Sequence, residues 1–249
     1  MRYRQYLNAL AYLTVLVCFS GCGGSKNNED NGSPTASIGK KTDTDDNPAN
    51  LTNNILPEPS PPPPKVKENL FPVVDIETNL GTIRVKLNAE KAPMTVDNFL
   101  LNYVDRKFYN GTVFHYVEKD FIAIAGGYAT DLKAKPVRSQ IRNEAGNGLK
   151  NKRGSIAMSR HPDYINSATS QFFFNLSDND SLDYRESEDE KDEEKDYGYC
   201  VFGEVIQGIE VVDKIAKIGT KAKANFPFNP AKPIVIKSVT RVPEEKTKK

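Results

Sequence analysis

Apolar positions fall into three regimes along the 249-residue chain. An uncharged, mostly apolar run occupies residues 7–19, a polar and proline-rich stretch follows, and regular hydrophobic alternation starts at Phe71 and continues almost to the end. Within that last regime residues 73–78 alternate as a strand, Asn79-Leu80-Gly81 reads as a turn, and residues 82–87 alternate again with Ile83, Val85 and Leu87 on one face. This predicts an opening β-hairpin. Ala92-Pro93 then starts a helix with proline in its first turn, and Val96, Phe99, Leu100, Tyr103 and Val104 recur at helical spacing to make one apolar face. Short β-like runs follow at residues 113–117, 121–125, 155–158, 172–176 and 200–205, separated by Gly, Asn and Pro clusters. A second helix is predicted over residues 209–218, with Val212, Ile215 and Ala216 inward and Gly219 as a left-handed cap. Residues 234–239 close as a strand. Many short strands with two amphipathic helices suit a closed antiparallel barrel with plugged ends, although the pattern alone does not separate barrel from sandwich.

Composition argues for one folded domain, over residues 71–243, because about 170 residues carry the alternation, enough to bury most of the surface of the unfolded chain. A formal net charge of +1 and the lack of a basic patch with interleaved aromatics exclude a nucleic-acid partner. Cys200 is the one cysteine of the domain and lies in an apolar run, which reads as a small buried hydrophobe rather than a nucleophile. No zinc spacing, phosphate loop or dinucleotide fingerprint occurs, so neither a metal nor a cofactor is expected.

Residues 1–21 have Arg2 and Arg4 ahead of the apolar run and Ser20-Gly21 behind it. An uncharged stretch of about 15 residues is short of the roughly 20 that cross a bilayer, so this is a secretory signal. Ser20-Gly21-Cys22 resembles a bacterial lipobox, with Phe19 in place of the usual leucine. That resemblance implies acylation of Cys22, which would anchor the chain to a membrane at the periplasmic face of a bacterial envelope, the outer membrane being favoured because the next residue is not aspartate. An ordinary secretory signal is the competing reading. Residues 22–70 cannot bury enough apolar area to offset their ordering entropy and are expected to be a disordered linker, stiffened by Pro61 to Pro64. Residues 185–196 contain eight acids against three bases, which reads first as a solvated loop and second as a selector for basic clients or a cation site. Residues 244–249 are a charged tail.

Five signatures occur in order: Phe114-His115-Tyr116, residues 121–127, Asn143-Glu144-Ala145, residues 167–174 and residues 199–205. This series resembles the cyclophilin family of peptidyl-prolyl isomerases, in its bacterial branch, over roughly residues 73–239. The resemblance implies an eight-stranded antiparallel barrel capped by two helices. It also implies binding of X–Pro segments of secreted or envelope proteins, by a monomer, with catalysis of their cis–trans isomerisation. An X–Pro amide rotates over a barrier of about 18–20 kcal/mol, and a 10⁵-fold acceleration needs roughly 7 kcal/mol of preference for the twisted form. By resemblance the proline pocket is walled by Phe121, Ile122, Phe173, Leu182 and Tyr199, the last standing where some relatives carry histidine. Strand alternation assigns Phe172 to the core instead. Gln171 matches a family glutamine that bonds substrate backbone, Ser159-Arg160 matches the segment that pairs with the peptide, and His115 matches the family histidine. Arg160 is by default a surface arginine, and a lone histidine in an apolar strand is by default a core residue.

Two positions depart from the family pattern. Tyr116 replaces an arginine that follows the Phe-His pair, and Ile124 replaces a glutamine two residues before the glycine pair. Exchanging a charged donor for a neutral hydroxyl is expected to cost on the order of 10²–10³ in rate. The alternative function is therefore a non-catalytic module that binds proline peptides as a chaperone or scaffold, and a weaker one is a purely structural lipoprotein head.

Overall fold

In the computed structural model β1 (Val73–Thr78) and β2 (Gly81–Leu87) pair antiparallel, from Val73 opposite Lys86 to Thr78 opposite Gly81. The turn needs its glycine twice over: φ at Gly81 is 137°, and a Cβ there would meet Val211 Cγ2 at 2.7 Å. The structure describes residues 69–186, 197–223 and 225–243. The leader, Cys22, the linker up to residue 68, residues 187–196 of the acidic segment and the tail lie outside the described residues.

Seven more strands complete the sheet: β3 (Thr112–Phe114), β4 (Tyr116–Val117), β5 (Ile122–Ala125), β6 (Ser155–Met158), β7 (Phe172–Asn175), β8 (Val201–Gln207) and β9 (Ile234–Arg241). Their order is β3-β9-β1-β2-β8-β6-β7-β5-β4, and the named pairs are antiparallel. The two ends of that order, β3 and β4, are separated in sequence by His115 alone, so the sheet curls almost to closure and is a barrel. The expected count of eight becomes nine because residues 112–117 change partner midway. β3 pairs with β9, β4 pairs with β5, and the His115 N–H donates to Ile124 O at 3.1 Å in between.

Helix α1 (Pro93–Asp97) begins at its proline as predicted, but Asn98–Val104 widens into a π-helix, with Asp105 N–H donating to Leu100 O and Phe108 N–H to Tyr103 O. The wider turn buries Asn98, Phe99 and Leu100 side by side, and the Asn98 amide reaches Thr169 O at 2.8 Å. All five residues of the predicted apolar face are buried. Phe99 packs edge-on to Phe172 with ring centroids 5.7 Å apart, plugging the barrel. Helix α2 (Ile209–Ala216) buries Val211, Val212 and Ile215. Its left-handed glycine is at the start, Gly208 with φ 84°, and the expected left-handed cap at Gly219 is absent: the helix ends on Lys217 in ordinary helical geometry.

Alternation along β5, β6 and β7 sends residues to two different places. Ala123, Ala125, Ile156, Met158, Phe172 and Phe174 join the barrel core, which confirms Phe172 as structural. Ile122, Ile124, Ala157 and Phe173 point the other way, into a second apolar cluster on the barrel wall.

Candidate functional site

That second cluster comprises Tyr116, Ile122, Ile124, Ala157, Phe173, Leu182, Tyr199 and Val201, with half-buried Phe121, Leu149, Phe226 and Phe228 packed against it. Five expected pocket residues, Phe121, Ile122, Phe173, Leu182 and Tyr199, therefore meet at one place although they come from separate segments. Their inner surfaces are closed to water: none of Ile122, Phe173, Leu182 and Tyr199 is more than 5% exposed. The accessible edge is the half-buried ring of Phe121, Leu149, Phe226 and Phe228.

Backbone polar bonds position these walls. The Asn151 amide donates to Leu182 O at 2.9 Å and Tyr199 O at 3.3 Å, and Tyr199 N–H donates to Leu182 O at 2.9 Å. Asn179 Nδ2 donates to Phe121 O at 2.9 Å and to Asn175 Oδ1 at 2.7 Å, while Asn175 Nδ2 returns to Asn151 Oδ1 at 3.1 Å. Three asparagines thus hold three walls in one buried network. Their clamping role was not legible in the sequence, because the carbonyls they bond belong to distant segments. Phe226 and Phe228 were also missed. Their signal is two aromatics in a polar, proline-rich connection that has no other apolar residue of comparable size. The Phe228 ring lies 5.0 Å from Tyr116, and Phe226 lies 4.9 Å from Tyr128.

The two departures from the family pattern face each other, since Tyr116 and Ile124 are direct partners in the β4–β5 register. Tyr116 is buried, and its hydroxyl donates to Glu118 Oε2 at 2.5 Å. Beside it His115 is fully buried, with its ring 4.6 Å from Tyr128 and neither ring nitrogen in hydrogen-bonding geometry with a partner. Burial pushes its pKa down to about 3 against weak opposing pulls from the Val113 backbone and the Gln171 side chain, so the imidazole is neutral and is no proton donor by charge. Gln171 lies directly over Gly127, where an added Cβ would meet its Cγ and Cδ at 2.7 Å, and its Oε1 is buried without a partner. Ser159 N–H donates to Gln171 O at 2.9 Å, joining the two segments expected to contact peptide.

Arg160 is not a surface residue: it is 5% exposed, with Nε donating to Gly198 O at 2.8 Å and Nη1 to His161 O and Pro162 O at 2.9 and 2.8 Å. Its guanidinium stacks 4.7 Å over Tyr199. These carbonyls pull the side chain inward and fix the segment that carries Tyr199. Cys200 is buried against Thr95, and burial raises its thiol to about 12, which leaves it unreactive. Among the described residues no cluster of His, Cys, Asp or Glu could hold a metal ion, and no helix is long and apolar enough to cross a membrane.

Residues 73–241 match the family described as cyclophilin type peptidyl-prolyl cis-trans isomerase/CLD. The chain belongs to that family. It is 44% identical over 163 residues to peptidyl-prolyl cis-trans isomerase A of Dickeya dadantii, covering 66% of this chain and 80% of that one. It is 42% identical over 168 residues to peptidyl-prolyl cis-trans isomerase B of Escherichia coli, covering 68% of this chain and 98% of the other. The fold is that of a cyclophilin-type isomerase from Cryptosporidium parvum, with a TM-score of 0.56 at 23% identity over 70% of this chain and 99% of that structure. As a cyclophilin of this kind the protein is a peptidyl-prolyl cis-trans isomerase.

Proposed function

We propose that this cyclophilin isomerises X–Pro bonds in secreted or envelope proteins, at reduced rate, from a lipid anchor on Cys22 at the periplasmic side of a bacterial envelope. The observation that carries the site is the apolar cluster on the wall of β5, β6 and β7, with Gln171 and Ser159 at its edge. In this reading the proline ring enters past Phe121, Phe226 and Phe228 and seats against Ile122, Phe173, Leu182 and Tyr199. The rim rings part to admit it, because the walls themselves are closed. Apolar walls exclude water from the amide and favour the twisted form, which has lost its charge-separated resonance. Gln171 and the Ser159 segment hold one side of the bond still, so that rotation is confined to the other. Arg160 keeps Tyr199 in place and does not touch substrate.

The amide nitrogen turns pyramidal as it twists and then accepts a hydrogen bond. In this reading Tyr116 makes that donation, but its proton is directed at Glu118, so the donation is weaker than that of a free cation. This is the physical basis for a reduced rate. The test is cis-to-trans relaxation of an alanine-proline tetrapeptide with wild type and Phe173→Ala. Acceleration above buffer that drops at least about tenfold in the variant is expected; a variant as active as wild type would move the site elsewhere. For the anchor, Cys22→Ala should shift the protein from the membrane to the soluble fraction, and unchanged partitioning would remove lipidation from the account.

A further inference from the structure

The β4–β5 turn carries a charge that the hairpin does not need. Glu118 closes the turn through its backbone, its N–H donating to Ile122 O at 2.9 Å and its O accepting from Phe121 N–H at 3.1 Å. The residue is half-buried: its carboxylate reaches Tyr116, inside the apolar cluster, and its backbone carbonyl holds Phe121 on the rim. Oε2 takes the Tyr116 proton at 2.5 Å, and among the described residues Oε1 has no partner and no lysine or arginine pairs with the group. Arg160, which packs on Tyr199 of the same cluster, is turned to the carbonyls of Gly198, His161 and Pro162. A peptide lying over Tyr116 therefore meets a carboxylate oxygen that accepts no other bond among the described residues. A carboxylate partly withdrawn from water and lacking a counter-ion gains by acquiring one, and apolar surroundings increase that gain.

We propose that Glu118 is a specificity-determining residue that selects proline segments bearing lysine or arginine next to the proline. The inference rests on where that reading places the proline-binding groove, and not on its catalysis. Charge of this kind acts on capture of the substrate and is read as the lysine-to-glutamate ratio, in which any change that freeing the Tyr116 hydroxyl makes to the twisting step cancels.

The experiment uses the full-length protein at an ionic strength of about 0.01 M, where screening extends over about 30 Å. Two pairs of proline tetrapeptides carry lysine or glutamate, one pair before the proline and one after it, with an all-alanine control. Both kcat/KM for isomerisation and Kd by titration are measured. In at least one pair lysine should be preferred on the order of tenfold, and the preference should shrink at about 0.5 M salt. Glu118→Gln should bring the lysine-to-glutamate ratio close to one, and Glu118→Lys should invert it, which a purely structural role of the turn would not do. Equal treatment of lysine and glutamate peptides by wild type, or a preference that survives Glu118→Lys, overturns the proposal. If the alanine control is isomerised without charge discrimination, the isomerase reading stands and this inference falls. If no peptide is isomerised but lysine peptides bind more tightly in a Glu118-dependent way, the reverse holds; if nothing binds, both fall.

Discussion

Tyr116 and Ile124 replace two polar residues of the family pattern and are cross-strand neighbours, so either change alone would leave a mismatched pair in a buried place. A guanidinium introduced at residue 116 against Ile124 would have one acceptor, Glu118, already within reach of the native hydroxyl. Tyr116→Arg combined with Ile124→Gln should therefore be tolerated, and should raise kcat/KM on the order of 10²-fold in a proline-peptide relaxation assay by restoring a charged donor at the amide. No gain from the double variant would place the limiting step elsewhere. His115 supports a second prediction. Its ordinary pKa of 6.5 falls to about 3 in the folded protein because burial disfavours the charged ring. As pH drops below about 6.5 the unfolded chain takes up a proton that the folded one refuses, so this contribution to stability is complete above that pH and is lost progressively toward pH 3. Between pH 7 and pH 4 wild type should lose about 3 kcal/mol more than His115→Gln in urea unfolding. Parallel curves for the two proteins would mean that the imidazole is charged, or open to water, in the folded state.

At the level of elements, the hairpin β1–β2, the start of α1 and the strands β6 and β7 were legible in the sequence, because each has several residues of unambiguous period. The break at His115 was not, since one histidine in an otherwise apolar run gives no sign that the strand changes partner midway. Nor was the π-helical stretch of Asn98–Val104, which keeps the spacing of an α-helix in its apolar residues and differs in which carbonyls are bonded. That Phe121, Ile122, Phe173, Leu182 and Tyr199 are associated was legible through the family resemblance, but what holds them together was not: Arg160 turns inward for the carbonyl of distant Gly198 as well as those of its neighbours His161 and Pro162, and the rings of Phe226 and Phe228 come from a connection without period. Asn151 makes this testable. Truncating it leaves the Leu182 and Tyr199 carbonyls, the Asn175 amide and Asp183 Oδ1 without one of their partners. Asn151→Ala should cost about 2–4 kcal/mol in urea unfolding and should also raise KM several-fold, because the Leu182 and Tyr199 walls lose their common clamp. A stability loss with unchanged KM would show that the network supports the barrel and not the groove.

For the molecule as a whole, the barrel joins the two ends of its own domain. Val74 faces Arg241 in the β1–β9 register, Val242 N–H donates to Val73 O at 2.8 Å, and β9 also carries β3, whose neighbour β4 leads into the site. Deleting residues 234–249 would strip β1 and β3 of their common partner together and expose two apolar edges, a change that no local repacking offsets. On the other side, among the described residues, every strand, both helices and every residue of the site lie between Val73 and Arg241, and the earliest backbone bond to the barrel is Ala89 N–H to Leu70 O at 2.8 Å. A chain begun at Asn69 should therefore keep its thermal midpoint within about 2 °C and its kcat/KM within about twofold of the full-length protein, whereas the chain ended at Pro233 should be insoluble or unfolded by circular dichroism. Should the chain begun at Asn69 lose activity while remaining folded, residues before it contribute to the groove, and the site as drawn from β5, β6 and β7 is incomplete.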